Sequence, residues 1–215
     1  KNLKYYKNHN NIELNEEISS MENLKKNLKD AKTIDELRAI EGNSKRIYYK
    51  SFNKILENNL FEIKRRERRP PKNPMNALIS FGNSLMYTNA LSAIFHTNLD
   101  PRIGYLHSTN DRSFSLNLDI ADIFKPVISD RVIFTLINKG MLGKKDFEKT
   151  IDYTMLKEKG RKIFIQEFEN KLNTTIKLKK LNKKVSYNRL MRIECYKLYK
   201  HFTGEEEYKP FIGEW

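Results

Sequence analysis

The sequence predicts a mainly α-helical chain, and three stretches carry that reading. Thr33, followed three residues later by Glu36, has the form of a capping box, and Leu37, Ile40, Ile47 and Ile55 then recur at helical spacing. Asn73-Pro74 pairs a capping side chain with a residue suited to the first helical turn. Behind it, "MNALISFGNSLMYTNALSAIF" is apolar on most sides. Towards the end of the chain, two or three further helices are expected over roughly 146–153, 155–173 and 186–202.

Taken in order, residues 13–29 are charged with sparse apolar positions, so residues 1–30 read as a surface helix and linker ahead of a main domain over 31–215. The helix starting at Thr33 is expected to run unbroken to about Leu60, with Glu41 inside it. "KRRERRPPKNP" (64–74) breaks the pattern with three prolines among basic residues and reads as an exposed loop. The helix beginning at Asn73-Pro74 should lie buried in the middle of the domain. "NLDPRIG" (98–104) is a turn that delivers the chain to His107. Residues 113–118 alternate like a strand, whereas Asp119 to Phe124 reads as a short helix. Pro126 disfavours α geometry at Lys125 and is expected to begin the next helix. "KLKKLNKKVS" (177–186) reads as a connector between the last two helices. No repeat and no sustained heptad is present.

Composition narrows the function. Apolar residues make up 39% of the 215 and aromatics 11%, enough to fill a core and contrary to disorder. No apolar run approaches the ~18 residues needed to cross a bilayer, and "KNLKYYKNHN" is too polar for a signal peptide. The single cysteine, Cys195, excludes an internal disulfide and a cysteine-based zinc site, and a cytoplasmic location is the default expectation. The first residue is not Met, so the sequence is expected to begin inside a longer product. Against 27 Asp and Glu stand 41 Lys and Arg, a net charge of +14 that attracts polyanions such as nucleic acid.

Within this basic chain, "HSTNDRSFSLNLDIADIFKP" (107–126) gathers His107, Asp119 and Asp122. On a helix, Asp119 and Asp122 share a face, and two bare carboxylates so close repel unless a cation or proton sits between them. A metal ion would serve, and so would an Arg or Lys. The plainer alternative is that Asp119 caps the helix and Asp122 is solvated. Glu41 sits immediately before Gly42, which costs a helix roughly 1 kcal/mol relative to alanine. Close approach of a backbone or ligand would explain that glycine, as would a helix boundary. Together, Glu41, His107 and Asp122 would suit Mn²⁺ or Mg²⁺, leaving positions open for water and phosphate oxygens.

Read in order, "LRAIEGNSKRIYYKSF", "RRERRPPKNPMNALISFGNSLMY", "LDPRIGYLHS" and "SFSLNLDIADIFKPVISDRVI" resemble the CRISPR-associated integrase, the endonuclease-like enzyme of spacer acquisition. The tail "YKPFIGEW" also resembles that family's C-terminal end, and the likeness covers essentially residues 30–215. It implies the family's multi-helix catalytic domain. It implies that Glu41 of the "EG" motif, His107 after "GYL" and Asp122 of the "LD…E.FRP" motif are metal ligands, with Asp119 assisting. Asp122 stands where Glu is frequent and Lys125 where Arg is frequent. A shorter carboxylate shifts the ion relative to its helix, and Lys contacts phosphate as a point charge without Arg's fork.

The resemblance further implies a transesterification. The 3′-hydroxyl of a captured DNA fragment attacks a phosphodiester at the edge of a CRISPR repeat, and water in its place would make the enzyme a nuclease. His107 could also serve as general acid for the leaving oxygen; the ligand role is favoured. Arg65, Arg66, Arg68, Arg69 and Lys125 are expected to hold DNA phosphates, joined by the lysines of 177–184. Tyr48 and Tyr49 could stack on unpaired bases. Implied partners are DNA, a homodimer mate engaged through an N-terminal β-rich domain, and the small bridging dimer of CRISPR adaptation. No run of strands precedes residue 30, so that β-rich domain is expected to be absent from this sequence. Two rival readings remain, a non-catalytic DNA-binding helical module and a metal nuclease acting on RNA or branched DNA.

Overall fold

Thr33 caps its helix through both halves of the capping box. Its Oγ1 accepts from Glu36 N at 3.2 Å, and the Glu36 carboxylate accepts from Thr33 N at 3.3 Å and Lys32 N at 2.6 Å. In the computed structural model, which describes residues 1–107, 114–178 and 183–213, this helix is α3 (Ile34–Lys50). It does not continue unbroken to Leu60. Ser51 Oγ donates to the Tyr48 carbonyl at 2.6 Å, a local bond that competes with the helical ladder. A short α4 (Phe52–Leu56) follows and stops at Glu57, whose φ of 43° is left-handed. Gly42 lies in mid-helix with no atom within 4 Å of a notional Cβ, so neither a helix end nor a close protein neighbour accounts for it.

Contacts divide the chain into two compact units that do not follow the expected boundary at residue 30. The first comprises Lys1–Ser80 with Ile137–Lys157, and the second Phe81–Leu136 with Glu158–Gly213. In the first unit, α1 (Asn2–Asn10) buries Leu3 and Tyr6, and Leu14 is fully buried, so the leading residues belong to this unit's core rather than to a linker. The helix α2 (Asn15–Asn27) buries no residue, as a surface helix should. Phe52, Phe61, Ile63, Met75 and Leu78 fill the remaining core. The expected helix over 146–153 is instead a hairpin, β1 (Phe147–Lys149) paired antiparallel with β2 (Thr154–Leu156). Long-range partners select it: Thr154 N donates to the Pro71 carbonyl at 2.7 Å, and the Phe147 ring meets Phe61 edge-on at 5.9 Å.

The long helix α5 (Pro74–Phe95) starts where Asn73-Pro74 places it, with Asn73 Oδ1 accepting from Asn76 N at 2.8 Å. Its residues up to Ser80 belong to the first unit and those from Phe81 to the second. There it is joined by α6 (Leu116–Phe124), α7 (Ser129–Asn138), α8 (Glu158–Asn173) and α9 (Tyr187–Phe202). Met86, Ile94, Ile120, Phe124, Ile133, Phe164 and Met191 lie in this core. Gly82 allows the approach of α5, since a Cβ there would stand 2.2 Å from Ser129 Oγ.

Three expectations in this unit need correction. The alternating run does not form a strand where it is described; α6 already begins at Leu116, where Ser115 N and Leu116 N both donate to the Pro101 carbonyl at 3.0 and 3.1 Å. Residues 108–113 lie outside the described residues. Pro126 does not open the next helix: a turn closed by Val127 N and Ile128 N on the Phe124 carbonyl delays α7 to Ser129. The lysine-rich connector is a hairpin, β3 (Thr175–Leu178) against β4 (Lys183–Ser186), with residues 179–182 outside the described set.

Candidate active site

The turn after α5 and the first turn of α6 build one polar cluster in the second unit. Asp100 is gripped by Arg102 through the backbone N at 2.9 Å and the guanidinium at 2.7–3.2 Å, which holds its carboxyl at about 2. Ser115 Oγ donates to the Arg102 carbonyl at 2.7 Å and brings the start of α6 against the turn. Gly104 then passes so near that a Cβ would lie 2.8–2.9 Å from the His107 carbonyl, Ser115 Oγ and Asp119 Oδ2. Only glycine leaves the Asp119 carboxylate room to enter the curl of the chain.

There Asp119 accepts three backbone N–H bonds, from Tyr105 at 2.6 Å and from Leu106 and His107 at 3.3 Å each. Its Oδ1 also lies 2.6 Å from His107 Nδ1. A carboxylate facing Nδ1 makes that nitrogen the donor, so in the neutral ring the lone pair is on Nε2. The His107 side chain is 31% exposed and that of Asp119 only 14%. Asp119 is thus neither a helix cap nor a solvated acid; Ser115 holds the cap position.

One turn on, Asp122 pairs with Lys125. Lys125 was expected at a DNA phosphate, yet it is 7% exposed. Its Nζ donates to Tyr87 Oη at 2.9 Å and lies 4.3 Å from that ring's centre, so α5 solvates the ammonium in the interior while Asp122 balances its charge. Both carboxylates find partners within the protein, Asp122 in Lys125 and Asp119 in three backbone N–H groups and His107 Nδ1.

The underside of α6 is held by the chain's last described residues. Phe124 is fully buried and stacks on Phe211 at 5.7 Å with 9° between planes. The segment carrying Phe211 is fixed by Glu194 of α9, itself 0% exposed. Glu194 accepts from Tyr208 Oη and Phe211 N, both at 2.8 Å, and from Lys197 Nζ at 2.7 Å. Burial, with the Glu194 charge beside it, pushes the Tyr208 phenol well above its ordinary range. On the other side of the turn, Tyr105 stacks on Phe202 at 5.6 Å. Sequence reasoning missed Tyr87, Gly104, Glu194 and Phe211 as supports; the signals were a glycine two residues before "LH" and one acid among the apolar positions of "LMRIECYKL".

Glu41 belongs to the first unit, on α3, with Lys45 one turn away at 2.5 Å and its side chain 30% exposed. Tyr48 and Tyr49 pack edge-on around Phe52 at 5.1 and 5.3 Å, and Tyr48 Oη accepts from Asn2 at 2.8 Å, which makes both part of that unit's packing. In the basic loop, Arg68 and Arg69 are exposed and Arg65 pairs with Glu67 at 3.0 Å. Arg66 turns inward to Asn76 Oδ1 at 2.9 Å and Ser80 Oγ at 2.8 Å, where it fixes the loop to α5. Lys177 and Lys184 stand directly opposite one another across the second hairpin, a like-charge pairing that costs stability.

Whether these residues fit a divalent ion is a matter of donor chemistry. Among the described residues, no group of three His, Cys, Asp or Glu side chains is arranged to hold one. The individual donors do fit: His107 presents Nε2 with its ring oriented by a carboxylate on the other nitrogen, the usual support for a metal-bound histidine. Asp122 offers a carboxylate that already holds a cation, and Glu41 offers another.

Relatives of this chain are known. The family described as CRISPR associated protein Cas1 matches residues 1–170. A CRISPR-associated endonuclease Cas1 of Thermodesulfovibrio yellowstonii is 53% identical over 99% of this chain and 64% of its own length. That of Clostridium perfringens is 49% identical over 100% of this chain and 64% of its own length. The solved structure of a Cas1 protein from Thermotoga maritima is 42% identical and superposes with a TM-score of 0.85 over 95% of this chain and 63% of that one. The chain therefore spans a little under two thirds of these relatives, and with identities this high over nearly all its residues it belongs to the Cas1 family.

Proposed function

We propose that this chain is the catalytic part of a divalent-metal-dependent DNA integrase and nuclease that joins captured DNA to a CRISPR array by transesterification. The observation that carries the reading is His107, oriented through Nδ1 by a deeply bonded Asp119 in a chain of the Cas1 family. Glu41, His107 and Asp122 are the proposed ligands for Mn²⁺ or Mg²⁺. Such an ion would neutralise phosphate charge and lower the pKa of the attacking hydroxyl.

The chain's own residues have separable tasks in this scheme. Asp119 fixes the ring and tautomer of His107, so that Nε2 faces the reacting group without reorganisation. Lys125 pairs with the Asp122 carboxylate and holds it in place. In the reaction, a 3′-oxygen bonds to phosphorus and the bond from phosphorus to the repeat's own 3′-oxygen breaks, so phosphodiester number is conserved and no nucleotide cofactor is consumed. With water as nucleophile the same displacement is cleavage. Arg68, Arg69 and the paired Lys177 and Lys184 are the proposed phosphate contacts, since they are exposed cations and the lysine pairing is unfavourable without an anion. Proposed partners are DNA, a second copy of the whole protein, and the small bridging dimer of CRISPR adaptation.

The test is a Mn²⁺ titration of wild type and of Glu41→Ala, His107→Ala and Asp122→Ala, following strand transfer and cleavage on branched DNA, with DNA binding measured alongside. Each variant should lose about 10²-fold or more in rate while keeping its DNA affinity. A non-catalytic DNA-binding module is the second reading, favoured by the pairing of Glu41 with Lys45 and of Asp122 with Lys125. Wild type that binds DNA but neither cuts nor joins it with any divalent ion would decide for that module.

A further inference from the structure

Glu194 is the most deeply buried acid among the described residues, at 0% exposure, and it has no part in the proposed displacement. Its two oxygens face different partners. Oε2 accepts from Lys197 Nζ at 2.7 Å, within the same turn of α9. Oε1 accepts from Tyr208 Oη and from Phe211 N, both at 2.8 Å, so this oxygen serves the returning tail. The tail also bonds to α9 nearer the surface, where Tyr208 N donates to His201 Nδ1 at 3.4 Å. A buried ion pair is a costly way to hold a tail, since a well-packed apolar side chain of similar volume often serves stability as well or better. What Oε1 supplies and an apolar atom cannot is direction: one acceptor brings a phenol and a backbone amide to the same point.

That direction reaches the candidate site. Phe211 stacks on the fully buried Phe124, which follows Asp122 within the same turn of α6. From the end of α9, Phe202 stacks on Tyr105 with 9° between planes, and Tyr105 N donates to Asp119 Oδ2 at 2.6 Å. Helix α9 thus grips both walls of the cluster, the turn that carries His107 and the helix that carries Asp119 and Asp122. With nine residues, α6 is too short to hold itself and takes its orientation from what packs on it. Its first turn is tied to the His107 turn by Asp119, and its last turn is held by the Phe211 ring and by Lys125 on Tyr87.

We propose that Glu194 is a positioning residue: through the tail it sets where α6 presents Asp122 relative to His107, and it does so as a hydrogen-bond acceptor rather than as a charge. The role rests on the integrase reading of the site, and a measurement that needs no catalysis separates the two. Glu194→Gln keeps an oxygen for both tail donors, whereas Glu194→Met keeps the volume and offers them nothing. Hydrogen exchange, read by mass spectrometry, is compared between α6 and α7, alongside Mn²⁺-dependent strand transfer and cleavage and DNA affinity. The Met variant should exchange the amides of α6 about tenfold faster than wild type and those of α7 within about twofold. Its kcat should fall about 10- to 100-fold while the Kd for DNA stays within about twofold. Glu194→Gln should remain within about threefold of wild type in exchange and in rate. Phe211→Leu, which removes the stack and leaves the bonds to Glu194, should reproduce both losses, and Glu169→Gln on the exposed face of α8 should reproduce neither. Wild-type exchange or wild-type rate in the Met variant, equal impairment of the Gln and Met variants, equal loosening of α6 and α7, or DNA affinity falling in step with rate would each overturn the proposal. If wild type neither cuts nor joins DNA with any divalent ion, the integrase reading falls, and the exchange rates alone decide whether Glu194 sets α6.

Discussion

Both oxygens of Asp119 are committed to one turn of chain, three amides and one imidazole, and Gly104 is the residue that lets them in. At this scale the substitution that discriminates is Asp119→Asn. It keeps the volume but turns one acceptor into a donor, so either the amides or His107 Nδ1 loses its partner. Activity should fall by about 10- to 100-fold, the usual cost of losing a carboxylate behind a metal-bound histidine. DNA affinity and the thermal midpoint should change little by comparison. A loss of DNA binding equal to the loss of rate would show that Asp119 only shapes the turn. Lys125 illustrates the opposite lesson: its place in the motif, where Arg is frequent, implied a phosphate contact, but Asp122 and Tyr87, the latter 38 residues earlier, hold it inside.

Among the elements, α3 and α5 were legible because their starts depend on neighbours in sequence, Thr33 with Glu36 and Asn73 with Asn76. The break at Ser51 was not, because a serine hydroxyl can face solvent or the preceding carbonyl with equal local ease. The hairpin over 147–156 was misread for a different reason. Its strands are three residues each, and its partners, Pro71 and Phe61, are far off in sequence. Of the candidate site, the meeting of His107 with Asp119 was legible from the stretch 107–126, whereas the supports on α9 and the tail were not, since each acts through tertiary contact. Helix α9 also carries the one cysteine. Burial, with the Glu194 charge nearby, pushes the Cys195 thiol up to about 12. The folded pKa is raised above the ordinary 9.0, so the thiol's contribution is fully present below pH 9 and lost as pH rises towards 12. At pH 8, Ellman's reagent should therefore leave native protein unmodified and titrate one thiol after denaturation; prompt reaction of the native chain would contradict the burial of α9's inner face.

For the whole molecule, the excess of +14 is a field that attracts polyanions, the proposed DNA among them, before any specific contact forms. Its strength should show in the salt dependence of binding. Arg68→Ala with Arg69→Ala should lower the slope of log K against log salt for duplex DNA by about 1.8, near 0.9 per phosphate contact. An unchanged slope would remove that loop from the interface. A different consequence comes from the strap of Tyr208 and Phe211 over Glu194 and Phe124. The ribosome makes α6 with its acids long before it makes the strap, so during synthesis the helix exists without its backing and Glu194 without two of its three partners. A chain cut short before Tyr208, by a nonsense codon or a protease, would carry Asp122 on a helix without the Phe211 stack behind it, and Glu194 with Lys197 in place of the strap's two donors.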